Sequence, residues 1–64
     1  MKKHIVVSTN KDKGYTLLIR LDTTGAPVVC QPFVVAWCYN DETDDWLAGH
    51  YFDSIEAAVA FLHS

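Results

Sequence analysis

The chain has 64 residues and a mass of about 7.2 kDa, half apolar and a fifth charged, a globular composition with room for one domain, residues 1–64. So short a chain buries only about 60% of its unfolded surface and does not readily enclose a pocket of about 300 Å3 or more, which favours binding over catalysis. The net charge of −3 hides an asymmetry: residues 1–20 carry all five basic side chains (Lys2, Lys3, Lys11, Lys13, Arg20) and one acid, whereas residues 21–64 carry seven acids and neither Lys nor Arg.

In chain order, residues 3–9 are rich in β-formers, and Asn10-Lys11-Asp12-Lys13-Gly14 reads as a turn in which Gly14 supplies the positive φ. Tyr15 to Asp22 alternates as a second strand, with Tyr15, Leu17, Ile19 and Leu21 on one face and Thr16, Leu18, Arg20 and Asp22 on the other. These two strands form a hairpin, and Thr23-Thr24-Gly25-Ala26-Pro27 is the next turn. Residues 28–39 are the most apolar stretch. Pro32 cannot donate to a ladder, so the strand proper starts at Phe33. Phe33, Val35, Trp37 and Tyr39 then face one way, and Val34, Ala36 and Cys38 the other. The acidic run Asn40-Asp41-Glu42-Thr43-Asp44-Asp45 reads as a solvated hairpin tip, and Trp46 to Phe52 returns as an antiparallel fourth strand. Gly49 inside that strand signals a bulge or a close approach by another backbone. A helix follows. Asp53 and Glu56 fit a capping box, and Ile55, Ala58, Val59 and Leu62 recur at helical spacing. The expected fold is therefore α+β: a four-stranded antiparallel sheet of two hairpins, with one C-terminal helix packed on one face.

One short helix covers one face, yet the third strand is apolar on both. Helices approach small residues closely, which places the helix over Val34, Ala36 and Cys38 and leaves the row containing Phe33, Trp37 and Tyr39 on the far side. A monomer rarely leaves such a patch bare. Three covers are open: the twisted sheet curling its own N-terminal hairpin over the row, a homodimer, or another protein or ligand. Trp and Tyr are frequent interface anchors. Asp41, Glu42, Asp44 and Asp45, beside Trp46, add a negative field that steers basic partners. The candidate partner-binding set is thus Phe33, Trp37, Tyr39, Asp41, Glu42, Asp44, Asp45 and Trp46.

Chemistry has little to work with. Cys30 and Cys38 lie seven residues apart in apolar surroundings and read as buried reduced thiols rather than a disulfide scaffold. Cys38 and His50 could meet across the second hairpin, but no orienting third group or oxyanion site is visible. His4, His50 and His63 lack metal-ligand spacing, the acidic run lacks the glycine and distal glutamate of a calcium loop, and no glycine-rich phosphate loop occurs. No enzyme activity, metal or cofactor is expected. Nucleic acid is disfavoured because phosphate binding needs clustered Lys and Arg. The alternative reading uses Lys2, Lys3, Lys11, Lys13 and Arg20 with an aromatic stacking platform. No apolar run reaches the length of a membrane span, and the N-terminal apolar stretch is too short for a signal peptide, so no membrane partner and a cytoplasmic location are expected.

The stretch Trp46-Leu47-Ala48-Gly49-His50-Tyr51-Phe52-Asp53-Ser54-Ile55-Glu56-Ala57-Ala58-Val59-Ala60-Phe61-Leu62 resembles the strand-to-capped-helix ending of small phage and mobile-element proteins. It also looks like the strand–helix segment of HicB-type antitoxins. The HicB middle has a Pro-Gly segment where this chain has Thr24-Gly25-Ala26-Pro27, so no functional residues carry over. The resemblance implies a class of work: inhibiting or redirecting a host protein, defence complexes included. Three readings follow: a non-enzymatic module that occludes a protein partner's surface, a nucleic-acid or nucleotide binder, and a structural subunit that homodimerises.

Overall fold

The computed structural model describes residues 3–64, so Lys2 of the basic set lies outside the described residues. The described chain is α+β: strands β1 (His4–Asn10), β2 (Tyr15–Arg20), β3 (Phe33–Trp37) and β4 (Ala48–Phe52), then helix α1 (Ile55–Leu62). The sheet is antiparallel throughout, in the order β1-β2-β3-β4. Consecutive strands are neighbours throughout, the usual outcome for strands adjacent in sequence. Gly14 closes the first hairpin at φ 73°, the left-handed conformation that a side chain disfavours. The second turn is organised by Asp22, whose carboxylate accepts hydrogen bonds from the amides of Thr24 and Ala26 and from the Thr24 hydroxyl. The side-chain hydrogen bond from Thr24, followed by that from its amide, lowers the Asp22 pKa.

The register aligns Leu17 with Val35, Ile19 with Phe33, Phe33 with Phe52, and Val35 with His50. Directly paired residues share a face, so this face carries the large row. The helix lies on it. Leu17, Val35, Ala58 and Leu62 are fully buried together, with Tyr15, Phe33, Phe52 and Phe61 packed around them. The expected placement over Val34, Ala36 and Cys38 is therefore corrected. The helix brings a small residue, Ala58, to the contact, and the large sheet side chains fill the space around it. Asn10 fastens the end of the helix by donating from Nδ2 to the Leu62 carbonyl at 2.6 Å.

The helix start also differs from expectation. Ser54, not Asp53, is the N-cap; its hydroxyl accepts from the Ala57 amide at 3.2 Å. Glu56 then sits in the first turn, where a negative charge suits the helix dipole, rather than reaching back in a capping box. Asp53 is used elsewhere, accepting from the Gln31 amide. Residues 28–32 form no strand, and Val29 and Cys30 are exposed. Cys38 is exposed too, so neither thiol is the buried group expected from its apolar neighbours. Cys30 lies in this irregular segment, and Cys38 has already left β3.

Candidate functional site

The centre of the sheet's second face is covered by the β3–β4 connection, a cover that strand patterning did not suggest, while Val6 and Tyr51 on its flanks stay exposed. The cause is local. Cys38 takes a left-handed φ of 59°, which ends the alternation of β3 at Trp37. Tyr39, expected beside Phe33, is thereby delivered to the opposite face. There Tyr39 and Trp46 pack over the buried cluster Leu18, Val34 and Ala36. Gly49 makes the room. A Cβ on it would lie 2.7 Å from Trp46 Nε1, closer than real Cβ atoms come, and a tight 3.0 Å from Val34 Cγ2, so the indole would have to shift. The close approach signalled by a mid-strand glycine is thus made by an indole ring, not by a backbone, and Trp46 lies outside the shorter β4.

Asp44 is the clasp. It too is left-handed, with φ 56°, and turns its carboxylate back toward the sheet. Oδ2 accepts from the Lys3 amide at 2.9 Å and lies 2.8 Å from His4 Nδ1, while Oδ1 accepts from the Tyr39 hydroxyl at 2.8 Å. The His4 ring also meets Trp46 edge-on, with centroids 4.9 Å apart. Burial tends to raise the Asp44 pKa. The hydrogen bonds from His4, the Lys3 amide and Tyr39 outweigh it and hold the carboxyl at about 2. In return, burial and the neighbouring Asp44 carboxylate push the Tyr39 phenol up to about 12. Two backbone hydrogen bonds between Asn40 and Asp45 close the loop neck.

The expected partner-binding set therefore divides. Phe33 is half-buried beneath the helix, and Tyr39, Asp44 and Trp46 anchor the loop from within. Asp41, Glu42 and Asp45 are exposed, as is Trp37, which stands at the end of β3 with its ring against Gly14. Leu47, not anticipated as a site residue, is 76% exposed. A shallow cavity of about 280 Å3 opens between Cys38, Asn40, Thr43, Asp45, Trp46 and Leu47. The arrangement is an acidic rim with exposed Leu47 beside Asp45, carried on a loop pinned from below, while Trp37 stands on the helix-side face of the sheet against Gly14.

Two other groupings that the sequence left open do not form. His50 lies opposite Val35 and stacks on Phe61 with ring centroids 4.5 Å apart; Cys38 is beyond the other end of the hairpin pairing. Lys3 precedes β1 while Lys11 and Lys13 follow it, so seven residues, about 20 Å of extended chain, separate them. Arg20 donates to the Gln31 carbonyl and lies 5.0 Å over the Tyr51 ring. Among the described residues no group of three or more His, Cys, Asp or Glu is placed to hold a metal ion, and no helix is long and apolar enough to cross a membrane. No family model, curated protein or solved structure matches the chain.

Proposed function

We propose that this protein is a non-enzymatic protein-binding module that acts in the cytoplasm, without cofactor or metal, by occupying the surface of a basic partner. The observation that carries this reading is the pinned loop. Asp44, Tyr39 and Trp46 fix it against the sheet, and Asp41, Glu42 and Asp45 are exposed on it, with Leu47 beside Asp45. A rim whose backbone is already ordered loses less conformational entropy on binding than a free loop does. An inhibitor of a host protein, carried by a phage or mobile element, is one instance of such a module. The scattered basic side chains support a protein partner over nucleic acid, and the burial of Leu17, Leu18, Val34 and Val35 within one chain supports a monomer over a homodimer joined through the centre of either sheet face.

The test is affinity capture from host extract followed by native mass spectrometry. It compares the wild-type chain with a variant carrying Asp41→Asn, Glu42→Gln and Asp45→Asn. A protein partner retained by the wild type should be lost from the variant and released as salt rises. Equal capture by both chains overturns the acidic rim as the binding surface. Only self-association or a bound oligonucleotide would instead support one of the other two readings.

A further inference from the structure

We propose that the outer edge of β4 is a docking strand for an extended partner segment bearing Lys or Arg at both ends. The inference rests on the reading of the protein as a binder of basic partners and names the form that partner takes.

The two edges of the sheet are built differently. β1 carries an irregularity between Val6 and Ser8 and is flanked by Lys3, Lys11 and Lys13. Bulges and lysines are the usual devices that stop an edge from pairing with another chain. β4 has neither. Its five residues, Ala48–Phe52, pair with β3 in unbroken register, they include no proline or lysine, and among the described residues no strand lies beyond them. Both faces of β4 are backed. Phe61 of the helix packs on His50 and Phe52, and Trp46 lies against Gly49. Those contacts lie on the faces of the strand and not along its edge, and alternate backbone N–H and C=O groups of an edge strand point away from the sheet.

Charge selects the occupant. Asp45 precedes β4 and Asp53 follows it, both exposed, and no Lys or Arg occurs after residue 20. Arg20 is the cation that reaches the strand, and its guanidinium lies over the Tyr51 ring on one face. Two copies joined through antiparallel β4 edges would set Asp45 of each near Asp53 of the other, like against like at both ends. A segment with cations at both ends meets opposite charge at both, while its main chain extends the sheet.

The experiment uses the intact protein and two blocked synthetic peptides of alternating valine and threonine, one with lysine at both ends and one with glutamate. Amide NMR shifts and hydrogen exchange are followed on titration. The lysine peptide should shift and protect amides within Ala48–Phe52, the glutamate peptide should not bind, and Asp45→Asn or Asp53→Asn should each weaken binding about threefold. Both asparagines keep an acceptor oxygen for the local backbone bonds. Perturbation confined to Asp41 and Glu42, or to β1, overturns the β4 assignment but leaves a basic-partner module standing. No binding of the lysine peptide, or equal binding of both peptides, also overturns it. If host-extract capture proves insensitive to the acids while the lysine peptide still docks on β4, the acidic-rim reading fails alone.

Discussion

The centres of the two faces of this sheet are covered by opposite means. On one, a regular helix lays Ala58 and Leu62 on Leu17 and Val35. The helix satisfies its middle backbone groups internally, so apolar contact holds its face there, with Ser54 and Asn10 bonding its two ends. On the other, an irregular connection lays Tyr39 and Trp46 on Leu18, Val34 and Ala36. A loop has no internal ladder, so its position is fixed by directional bonds: the Asp44 carboxylate to His4, Lys3 and Tyr39, and the paired Asn40 and Asp45 backbone. Room is made differently as well, by Ala58 of the helix on one face and by Gly49 of the sheet, against the Trp46 indole, on the other. The helix face carries the bulk of the apolar core, while the loop face carries the pH sensitivity and the acidic rim.

The strongest way to break the symmetry between the faces is to cut each at its centre. Leu62→Ala removes a fully buried side chain from the helix face and should cost about 3 kcal/mol, much of the stability of so small a domain. Gly49→Ala puts a Cβ where Trp46 and Val34 already sit and should cost about 2 kcal/mol by overpacking. Urea unfolding measures both losses. Their signatures should differ. In a Trp37→Phe background, which leaves Trp46 as the reporter, Gly49→Ala should red-shift the fluorescence of the folded protein. Leu62→Ala should lower the unfolding midpoint and leave the native spectrum in place. A red shift in both would mean that the faces are coupled.

The elements that build the helix face were legible in the sequence, because strand alternation and helical spacing are periodic signals. The four strands, their antiparallel order, the C-terminal helix and the composition of each β2 face all follow from such periods. The face the helix takes was not legible: the small Val34, Ala36 and Cys38 row suggested the wrong one, because the small residue at the contact is Ala58 of the helix. The loop face was not legible, because a single residue decides it. Left-handed Cys38 breaks the alternation, and left-handed Asp44 turns a carboxylate inward; neither residue type announces that conformation as glycine would. The acidic run looked like one solvated tip, although one of its four acids is the anchor for the others. Gly49 was the signal at hand, a missing side chain in a strand otherwise bulky on both sides. It marked a close approach without saying which group approached.

The clasp makes the loop face the one that titrates. Asp44 has its carboxyl held at about 2 in the folded chain against an ordinary 3.8, so the unfolded chain takes up a proton first as pH falls. The stabilisation is complete above about pH 4 and fades toward pH 2. Tyr39, pushed up to about 12 from an ordinary 10, works in the other direction. The unfolded chain loses that proton first, and the stabilisation present below pH 10 is lost as pH rises toward 12. Asp44→Asn keeps one acceptor oxygen, enough for the Lys3 amide, replaces the oxygen that accepts from Tyr39 by an NH2 that can only donate to the phenol oxygen, and surrenders the charge. It should cost about 1 kcal/mol at neutral pH and flatten the acid limb of a stability-against-pH profile. An unchanged acid limb in this variant would place the acid sensitivity elsewhere.

The smallest effect sharpens the helix side. Ser54 and Asp53 are both good N-cap residues, and sequence alone favours Asp53 because Glu56 lies three positions on. The backbone decides otherwise. Ser54 has the extended φ of −123° and ψ of 149° of a cap, and its hydroxyl faces the Ala57 amide. Asp53 is turned toward Gln31. Ser54→Ala should therefore cost about 1 kcal/mol, whereas Asp53→Ala, which removes one bond at an exposed site, should cost under about 0.5 kcal/mol. Thermal unfolding with far-ultraviolet dichroism orders the two. The Trp46 fluorescence of either variant should match the parent, since the cap touches only the helix face. The reverse order of losses would move the helix start back one residue and restore the capping box between Asp53 and Glu56.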